Sequence, residues 1–474
     1  MHKILLIVIL MFSAVSCSEQ QKSSDRERGL STEHAKEFQK EIIKIEDNIY
    51  VAIGYALANV IMIVGDSENV IVDTTGSEEA AKIVKKELNK ISTNPVNNII
   101  YTHNHPDHIG GATIFASSVD ANIYGQENIL YNIDNISTII RPIIYERSAR
   151  QFGIPLDKDD IIHQGIGGFL EINADTTTGL LRPNVTFDKN LNLNINNIQI
   201  ELGHVPGETD DHLYVYLPDK EAVMVGDNFY RSFANLYAIR GTKYRNPMEW
   251  VYSLDKIRSL NAKYLIPSHS RPVVGKDNVY NALTDYRDAI QFVHDQTVRY
   301  INKGLLPDEI AAQIELPSHL RSSPYLQEFY GSISSYVRSI FVGYIGWFNG
   351  NITTLHPMSA EDKAAKMIEL ATKQTDLHEA AQLAVENGEY QWAMELTDSL
   401  IALNNEDQKA KDIKAYAADK FALTQTASND YYFYKTVAGE LRGDYEVYFR
   451  DVKATPKQLQ AIPMKSIIKS LPVN

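Results

Sequence analysis

The chain contains 474 residues, of which 44% are hydrophobic and 22% charged. A chain of this length exceeds what one hydrophobic core usually serves, so two or three globular domains are expected. The formal net charge of −14 argues against a nucleic-acid-binding protein, because phosphate backbones are bound by Lys and Arg, whereas a small anionic substrate stays compatible with a locally positive site.

The N-terminus is predicted to be a secretory signal. Met1-His2-Lys3 precedes the apolar run Ile4–Phe12 and the small residues 13–16. The run is too short to cross a bilayer, which needs about 20 residues. Cys17 follows at once and is the only cysteine, so no intramolecular disulfide can form.

The position of Cys17 resembles the bacterial lipoprotein signal, in which this cysteine carries the lipid. We therefore expect a signal peptide at 1–17, a lipid anchor at Cys17 and a flexible polar tether at 18–38. The expected location is the cell envelope, on its periplasmic or its outer face. An ordinary signal peptide with a chance cysteine is the alternative.

Residues 39–280 alternate between strand and helix patterns. Val60–Val64 and Val70–Val72 flank a turn and predict two strands. Ser77–Ile91 has apolar residues at helical spacing, with Ser77 as the N-cap. Further strands are predicted at Asn98–Tyr101, Ile198–Leu202, Leu213–Leu217, Ala222–Val225 and Tyr264–Ile266. This alternation predicts a layered α/β domain.

The pattern becomes helical from residue 281 onward. Tyr286–Tyr300 and Tyr325–Phe348 are helix candidates, and the chain beyond Pro357 is almost entirely helical in pattern. We expect an all-α domain at 281–450, followed by a C-terminal tail at 451–474.

The strongest chemical signal is the segment Thr102–Gly111. It supplies His103, His105, Asp107 and His108, four possible metal ligands within six residues at the end of a predicted strand. Two histidines two residues apart on extended backbone face the same way. A lone histidine is usually structural, but this spacing predicts a metal site.

His-x-His-x-Asp-His after a strand resembles the signature of the metallo-β-lactamase superfamily. The remaining parts of that pattern follow in order. Asp73 ends a strand, Glu208 stands in the Pro-Gly-His-Thr turn at the place of the His, Asp227 follows Gly226, and His269 follows a strand. The resemblance implies an αβ/βα sandwich for the catalytic domain.

The resemblance also implies two metal ions per chain, held by two ligand groups and one bridging carboxylate. The groups would be His103, His105 and Glu208 for one ion, Asp107, His108 and His269 for the other, and Asp227 between them. Imidazole and carboxylate ligands without thiolate suit zinc, and also allow iron or manganese. Asp107 is expected to be catalytic as well as a ligand.

Within the superfamily, the chain resembles the alkyl- and aryl-sulfatases, which carry Glu at the position of Glu208. The stretch Asp227–Gly241 also matches that group and implies that Arg240 is catalytic and binds the sulfate. Asn59 and Tyr237 are candidate walls of the substrate pocket, and His204 and His212 are candidate supports for ligands. The helical domain resembles the dimerisation domain of these enzymes and implies a homodimer.

The sequence therefore predicts a zinc-dependent hydrolase that cleaves an alkyl or aryl sulfate ester to an alcohol and inorganic sulfate. A lactonase or phosphoesterase of the same fold is one alternative, and a non-catalytic binding lipoprotein is another. The intact ligand set argues against the binding protein, which needs no open metal sites. The carbon skeleton of the substrate and the bond that breaks stay open.

Overall fold

The computed structural model describes residues 32–170, 172, 175–350, 355–371, 376–447 and 453–454. Within these, the chain forms two compact units. One contains 34–147, 162–346 and 453–454, and the other contains 32–33, 148–161 and the described residues from 347 to 447. The predicted signal peptide with Cys17, most of the tether and nearly all of the tail lie outside the described residues.

The first unit begins with a seven-stranded sheet in the order β1-β2-β3-β4-β5-β6-β8. Neighbours from β1 to β4 are antiparallel, and β4, β5, β6 and β8 are parallel. The strands are β1 Glu41–Glu46, β2 Ile49–Ile53, β3 Val60–Val64, β4 Asn69–Val72, β5 Val96–Ile100, β6 Asn122–Gln126 and β8 Val185–Phe187. The short β7 Thr177–Thr178 pairs instead with β15 Lys453–Ala454.

A second sheet has six strands in the order β14-β13-β12-β11-β10-β9. They are β9 Asn190–Ile195, β10 Ile198–His204, β11 Leu213–Leu217, β12 Ala222–Met224, β13 Tyr264–Ile266 and β14 Val273–Val274. One buried apolar cluster joins the inner faces of both sheets, for example Val72 and Ile100 with Leu202 and Ile266. The two sheets therefore pack face to face.

Helices cover both outer faces of this sandwich. On the first sheet lie α1 Glu78–Leu88, α2 Pro106–Ile109, α3 Ala112–Phe115 and α4 Asn128–Thr138, and α5 Arg141–Gln151 follows. On the second sheet lie α6 Pro247–Ser259, α7 Lys276–Ile301, α8 Pro307–Ala311, α9 Ser318–Arg321 and α10 Ile333–Ile345. The predicted αβ/βα sandwich is confirmed.

The compact units divide at 346/347, whereas the predicted domain boundary was 280/281. Tyr286 and Ile290 of α7, and Tyr336 and Ile340 of α10, share one buried cluster with Val223 of the second sheet. These helices therefore form the outer layer of the sandwich, because their apolar faces cover a sheet that would otherwise be exposed.

The second unit is helical. It contains α11 Ala360–Ala371, α12 Leu377–Glu386, α13 Tyr390–Leu403, α14 Gln408–Ala422 and α15 Ser428–Arg442. One of its two buried clusters consists mainly of alanines such as Ala393 and Ala417, which allow close helix packing, whereas the other is mostly Leu and Ile. Among the described residues, no helix is both long and apolar enough to cross a membrane.

Candidate metal centre

The His103–His108 segment links β5 to α2 at one end of the sandwich. Pro106 occupies the first turn of α2, a position that needs no backbone N–H. His103 Nε2 lies 2.9 Å from His105 Nδ1. A Cβ atom on Gly111 would lie 2.2 Å from the carbonyl oxygen of Thr74, so only glycine permits this close approach.

The other three predicted ligands come from separate connections of the second sheet. Glu208 lies on the turn between β10 and β11, Asp227 follows β12, and His269 follows β13. The structure brings all seven residues together in three overlapping groups, within each of which the ligand atoms lie within 4.8 Å of one another. The groups are His103–His108–Asp227, Asp107–His108–His269 and His105–Glu208–Asp227.

Asp227 lies centrally in the cluster. Its Oδ1 is 3.4 Å from His108 Nε2 and 3.3 Å from His269 Nε2, whereas its Oδ2 is 3.7 Å from His103 Nε2. Asp107 Oδ2 lies 3.4 Å and 3.5 Å from the same nitrogens of His108 and His269. A carboxylate with one oxygen toward each side suits a bridge between two cations.

The side chains also fit metal ions in their hydrogen bonding. Among the described residues, His108 Nε2, His269 Nε2, Asp227 Oδ1 and Glu208 Oε2 are buried and have no hydrogen-bond partner. Such orphaned atoms are costly in a folded protein unless something else binds them. Four of them directed into one cluster match the donor set of a metal centre.

Asp73 orients the cluster from behind. Its carboxylate accepts hydrogen bonds from His108 Nδ1 at 2.8 Å, Ser268 Oγ at 2.6 Å and the Thr102 backbone N–H at 2.9 Å. It is fully buried and has φ of 57°, a left-handed conformation that is uncommon outside glycine. With Nδ1 protonated, His108 presents the lone pair of Nε2 to the cluster.

His269 is oriented in the same way by a backbone group. Its Nδ1 lies 2.9 Å from the carbonyl oxygen of Leu57, so Nε2 faces the cluster. Burial lowers the pKa of His103 and of His105 well below the ordinary value, which keeps both imidazoles neutral. The neutral imidazole is the form that binds a metal ion.

Two arginines act on the same end of the cluster. The Arg245 Nη1 donates to Glu208 Oε1 at 2.8 Å and to the carbonyl of Asn235. Burial raises the pKa of Glu208, and the charges of Arg245 and Arg240 oppose that rise. After burial, the same two guanidinium groups are the main influences that lower the pKa of His105. Two guanidinium charges therefore act on the end of the site at Glu208, beside the carboxylates of Glu208 and Asp227.

Arg245 was not among the residues predicted from the sequence. It is 3% exposed, and within the described part of the chain its Nε and Nη2 have no hydrogen-bond partner. Its only sequence signal is a charged residue five positions after Arg240, just before the N-cap of α6 at Asn246. Nothing in that pattern distinguishes a buried arginine from a solvated one.

The remaining predicted site residues occupy supporting positions. Asn59 is buried, and its Nδ2 donates to the carbonyls of Pro267 and Ser270 on either side of His269, so this amide nitrogen braces a ligand loop. Tyr237 is partly buried against the core of the second sheet. His212 accepts from the Asp227 N–H at 2.9 Å, whereas His204 bonds to the carbonyl of Asp210 in the Glu208 turn.

Comparisons with known proteins agree with this fold. The metallo-β-lactamase superfamily model matches residues 54–269, and an alkyl sulfatase dimerisation model matches residues 306–444. The chain therefore has a metallo-β-lactamase-fold hydrolase domain followed by a helical alkyl sulfatase dimerisation domain. Proteins of this superfamily typically bind metal ions, in agreement with the cluster described above.

A linear primary-alkylsulfatase from a Pseudomonas species is 37% identical over 386 residues, which cover 80% of this chain and 72% of the relative. The chain belongs to the alkylsulfatase family. An alkyl/aryl-sulfatase from Saccharomyces cerevisiae is 26% identical over 85% of this chain, which spans 64% of that relative. The structure of a stereoselective inverting sec-alkylsulfatase from a Pseudomonas species has the same fold, with a TM-score of 0.85, 23% identity and coverage of 91% of this chain and 70% of that one.

Proposed function

We propose that this protein hydrolyses organic sulfate esters to an alcohol and inorganic sulfate, with two zinc ions per chain. The observation that carries this proposal is the buried contact of Arg245 with Glu208 at the metal-ligand cluster, where the charge of Arg240 also acts on Glu208 and His105. A guanidinium group matches the oxygens of a tetrahedral anion and offers two donors at once. Two of them beside a metal centre suit a substrate with an anionic head.

The ligand set supports the metal part of the proposal. In the division that the family resemblance implies, His103, His105 and Glu208 would hold one ion, Asp107, His108 and His269 the other, and Asp227 both; His105 Nδ1 lies 2.9 Å from His103 Nε2 and 3.9 Å from Glu208 Oε1. When bound, such a pair of ions supplies Lewis-acid stabilisation and activates water at neutral pH. Imidazole and carboxylate donors fit zinc.

The chain's own residues would orient the ester. Arg240 and Arg245 hold the sulfate oxygens, and their charge stabilises the negative charge that grows during the reaction. Asp107 keeps its carboxylate ionised: burial opposes this, but the neighbouring histidines lower its pKa to about 2. That carboxylate can accept a hydrogen bond from the attacking water. Burial of both sides of the site strengthens these interactions, because little water screens them.

A sulfate ester fits better than the two alternatives on the same fold. A lactone has no anionic group for the arginines to bind. A phosphodiester has one, but the family relatives are named as alkyl or aryl sulfatases. A non-catalytic binding protein is disfavoured for a different reason: the buried ligand atoms that have no hydrogen-bond partner match a metal centre and not merely a pocket.

The decisive test is a substrate panel. Zinc-loaded full-length protein would be given alkyl sulfates, an aryl sulfate, a lactone and a phosphodiester, and released sulfate, acid or alcohol would be quantified. We expect a sulfate ester to have the highest kcat/KM. Faster turnover of the lactone or the phosphodiester, or no turnover of any compound, would overturn the proposal.

We further propose a homodimer that assembles through the helical domain, and two zinc ions per chain. Light scattering of the purified protein should give twice the chain mass, and elemental analysis should approach two zinc ions per chain. A monomer would contradict the proposed homodimer. A preparation that is fully active without metal would contradict the proposed zinc ions.

We also propose that the mature protein is anchored to the cell envelope by a lipid on Cys17. A single acyl chain binds membranes weakly, so stable anchoring needs more than one chain. Expressed in a bacterial host, Cys17→Ser should leave the membrane fraction or stay unprocessed. The same distribution for wild type and variant would favour an ordinary signal peptide.

A further inference from the structure

The backbone turn that carries Arg240 is braced by a distant side chain. Ala238 to Gly241 form a β-turn closed by the hydrogen bond from the Gly241 N–H to the Ala238 carbonyl, at 2.9 Å. Ile239 and Arg240 are its central residues, and a turn of this kind does not use their carbonyls internally. Buried or half-buried carbonyls normally find another donor.

Arg147 of α5 is that donor. Its Nε donates to the carbonyl of Arg240 at 2.7 Å, and its Nη2 donates to the carbonyl of Ile239. One planar guanidinium thus bonds two successive carbonyls, which fixes both the position and the direction of the turn. Arg147 is 93 residues from Arg240 in sequence, so no local sequence pattern predicts the contact.

The same face of α5 packs against the turn sterically. Ile144 lies one helical turn before Arg147, and residues three apart share a helix face. A Cβ atom built on Gly241 would lie 3.1 Å from Ile144 Cδ1, and Gly241 has φ of +110°. A side chain here would therefore be strained and would press on α5, so glycine lets the turn fit against the helix.

A second brace holds the segment just beyond the turn. Lys243 Nζ donates to Asn132 Oδ1 of α4 at 2.7 Å and lies 3.3 Å from Asp210 Oδ2. Asn132 Nδ2 in turn donates to Asp210 Oδ1 at 2.6 Å, on the turn of Glu208. Lys243 and Asp210 are about half exposed, so this ion pair alone contributes little. The Arg147 contacts are the stronger of the two.

We propose that Arg147 is a positioning residue for sulfate binding: it acts through the Arg240 turn and aims the Arg240 guanidinium at the head of the substrate. This inference rests on the proposed function. Misplacement of a substrate-binding group by about 1 Å can cost on the order of 10²-fold in rate, so a brace outside the site can control substrate affinity. Arg147 itself makes no contact with the metal-ligand cluster among the contacts of the described residues.

The test compares Arg147→Ala, Arg147→Lys and the control Arg258→Ala. Arg258 is also a helical arginine with two partners, Asp255 and Thr284, on the far side of the second sheet. We expect Arg147→Ala to lower kcat/KM for a sulfate ester about tenfold, mainly through KM, and to weaken inhibition by inorganic sulfate by a similar factor. Lys can reach only one carbonyl and should restore part of the loss. Zinc content should be unchanged, and Arg258→Ala should behave as wild type.

A double variant separates positioning from general damage. If Arg147 acts through Arg240, then Arg147→Ala should have no further effect in an Arg240→Ala background, because the two effects are not independent. The inference would be overturned if the loss of kcat/KM in the double variant equalled the product of the losses in the two single variants. It would also be overturned if Arg147→Ala had the KM of wild type.

Hydrogen exchange distinguishes failure of this inference from failure of the proposed function. Backbone amides of residues 238–246 should exchange faster in Arg147→Ala than in wild type, and not in Arg258→Ala, whatever the substrate is. Faster exchange in a protein that hydrolyses no sulfate ester would reject the proposed function alone. Unchanged exchange would reject the bracing role of Arg147 even in an active sulfatase.

Discussion

The two halves of the candidate site are built in opposite ways. The metal-ligand half takes four of its seven side chains from His103–His108, at the end of a buried strand and in the one-turn helix that follows. The other three, Glu208, Asp227 and His269, lie on separate connections of the second sheet. The half proposed to bind sulfate, called the sulfate half below, takes Arg240 and Arg245 from residues 229–246, which contain no helix or strand. The four clustered ligands keep their spacing through the strand end and the helix that carry them, with Asp73 bonded to His108 from behind. The two arginines depend on side chains about 40 to 110 residues away, namely Glu208, Asn132 and Arg147.

This difference has a physical consequence. Ligands on a strand end and a one-turn helix keep their spacing because backbone hydrogen bonds fix them. An irregular loop has no such internal ladder, so each of its functional groups needs an external partner. Substitutions in the metal half should therefore abolish the chemistry, whereas those in the sulfate half should weaken substrate binding and leave the metal in place.

The largest expected effect is that of His103→Ala. It removes one proposed metal ligand, whose Nε2 lies 3.7 Å from Asp227 Oδ2. We expect metal content to fall below that of wild type and kcat/KM to drop by on the order of 10³-fold or more. Elemental analysis and turnover of an alkyl sulfate measure both. His319→Ala, on an exposed histidine of α9, is the control, and equal losses in both variants would contradict the assignment of His103.

Arg240→Ala should have the next largest effect. Loss of one charged donor to the developing charge typically costs on the order of 10²–10³-fold in rate, and Arg240→Lys should lose less, since it keeps the charge without the fork. Both variants should retain full metal content, which separates the two halves of the site. Turnover of a neutral lactone, if any is measurable, should change little. Loss of zinc from Arg240→Ala would show that the halves are not independent.

The contrast between the halves also explains what could be predicted from the sequence. Four ligands can be recognised in the sequence because metal-ligating residue types stand so close together there: His103, His105, Asp107 and His108. Glu208, Asp227 and His269 were found only because the order of the family pattern could be followed along the chain. Arg245 and Arg147 were missed, since burial and long-range hydrogen bonds leave no local spacing to read.

The fold shows the same contrast between features set by local sequence and features set by long-range packing. Strands such as Val60–Val64 and helices such as Glu78–Leu88 follow from hydrophobic periodicity and capping, and the structure has both. The place of α7 and α10 on the second sheet could not be inferred, because an amphipathic helix does not state which surface it covers. Asn59 shows the same limit, since the sequence does not indicate that its Nδ2 bonds the carbonyls of Pro267 and Ser270 around His269; its role in the substrate pocket stays a prediction.

A smaller effect is expected from Asp73→Asn, which tests the support behind the metal half. Asn tolerates the left-handed conformation of this position, so the backbone should be retained. The amide loses one of the two acceptor oxygens that bond Thr102, Ser268 and His108. Substitutions of such partners typically cost 10–100-fold in metal affinity or activity. Titration with a competing chelator measures the affinity, and an unchanged value would show that Leu57 and the ligands alone suffice.

Asp211→Asn should have the smallest effect on turnover and a distinct effect on stability. Asp211 lies on the Glu208 turn and is fully buried, and its Oδ1 accepts a hydrogen bond from Asn132 Nδ2 at 3.1 Å. Burial raises its pKa from 3.8 to about 7. Asn132 also binds Lys243, so Asp211 lies where the supports of the two halves meet.

The sign follows from proton binding. Between about pH 4 and pH 7 the folded protein keeps a proton on Asp211 that the unfolded chain has lost, so the stability from this group falls as pH rises through that range and levels off above it. The amide of Asp211→Asn cannot ionise and keeps the acceptor oxygen. Measured by urea unfolding of chelator-treated protein, the free energy of unfolding of the variant should gain on wild type by on the order of 2 kcal/mol between pH 5.5 and 7.5. Parallel curves for the two proteins would mean that Asp211 is ionised in the fold, and that the hydrogen bond from Asn132 Nδ2 is enough to stabilise a buried charge at this position.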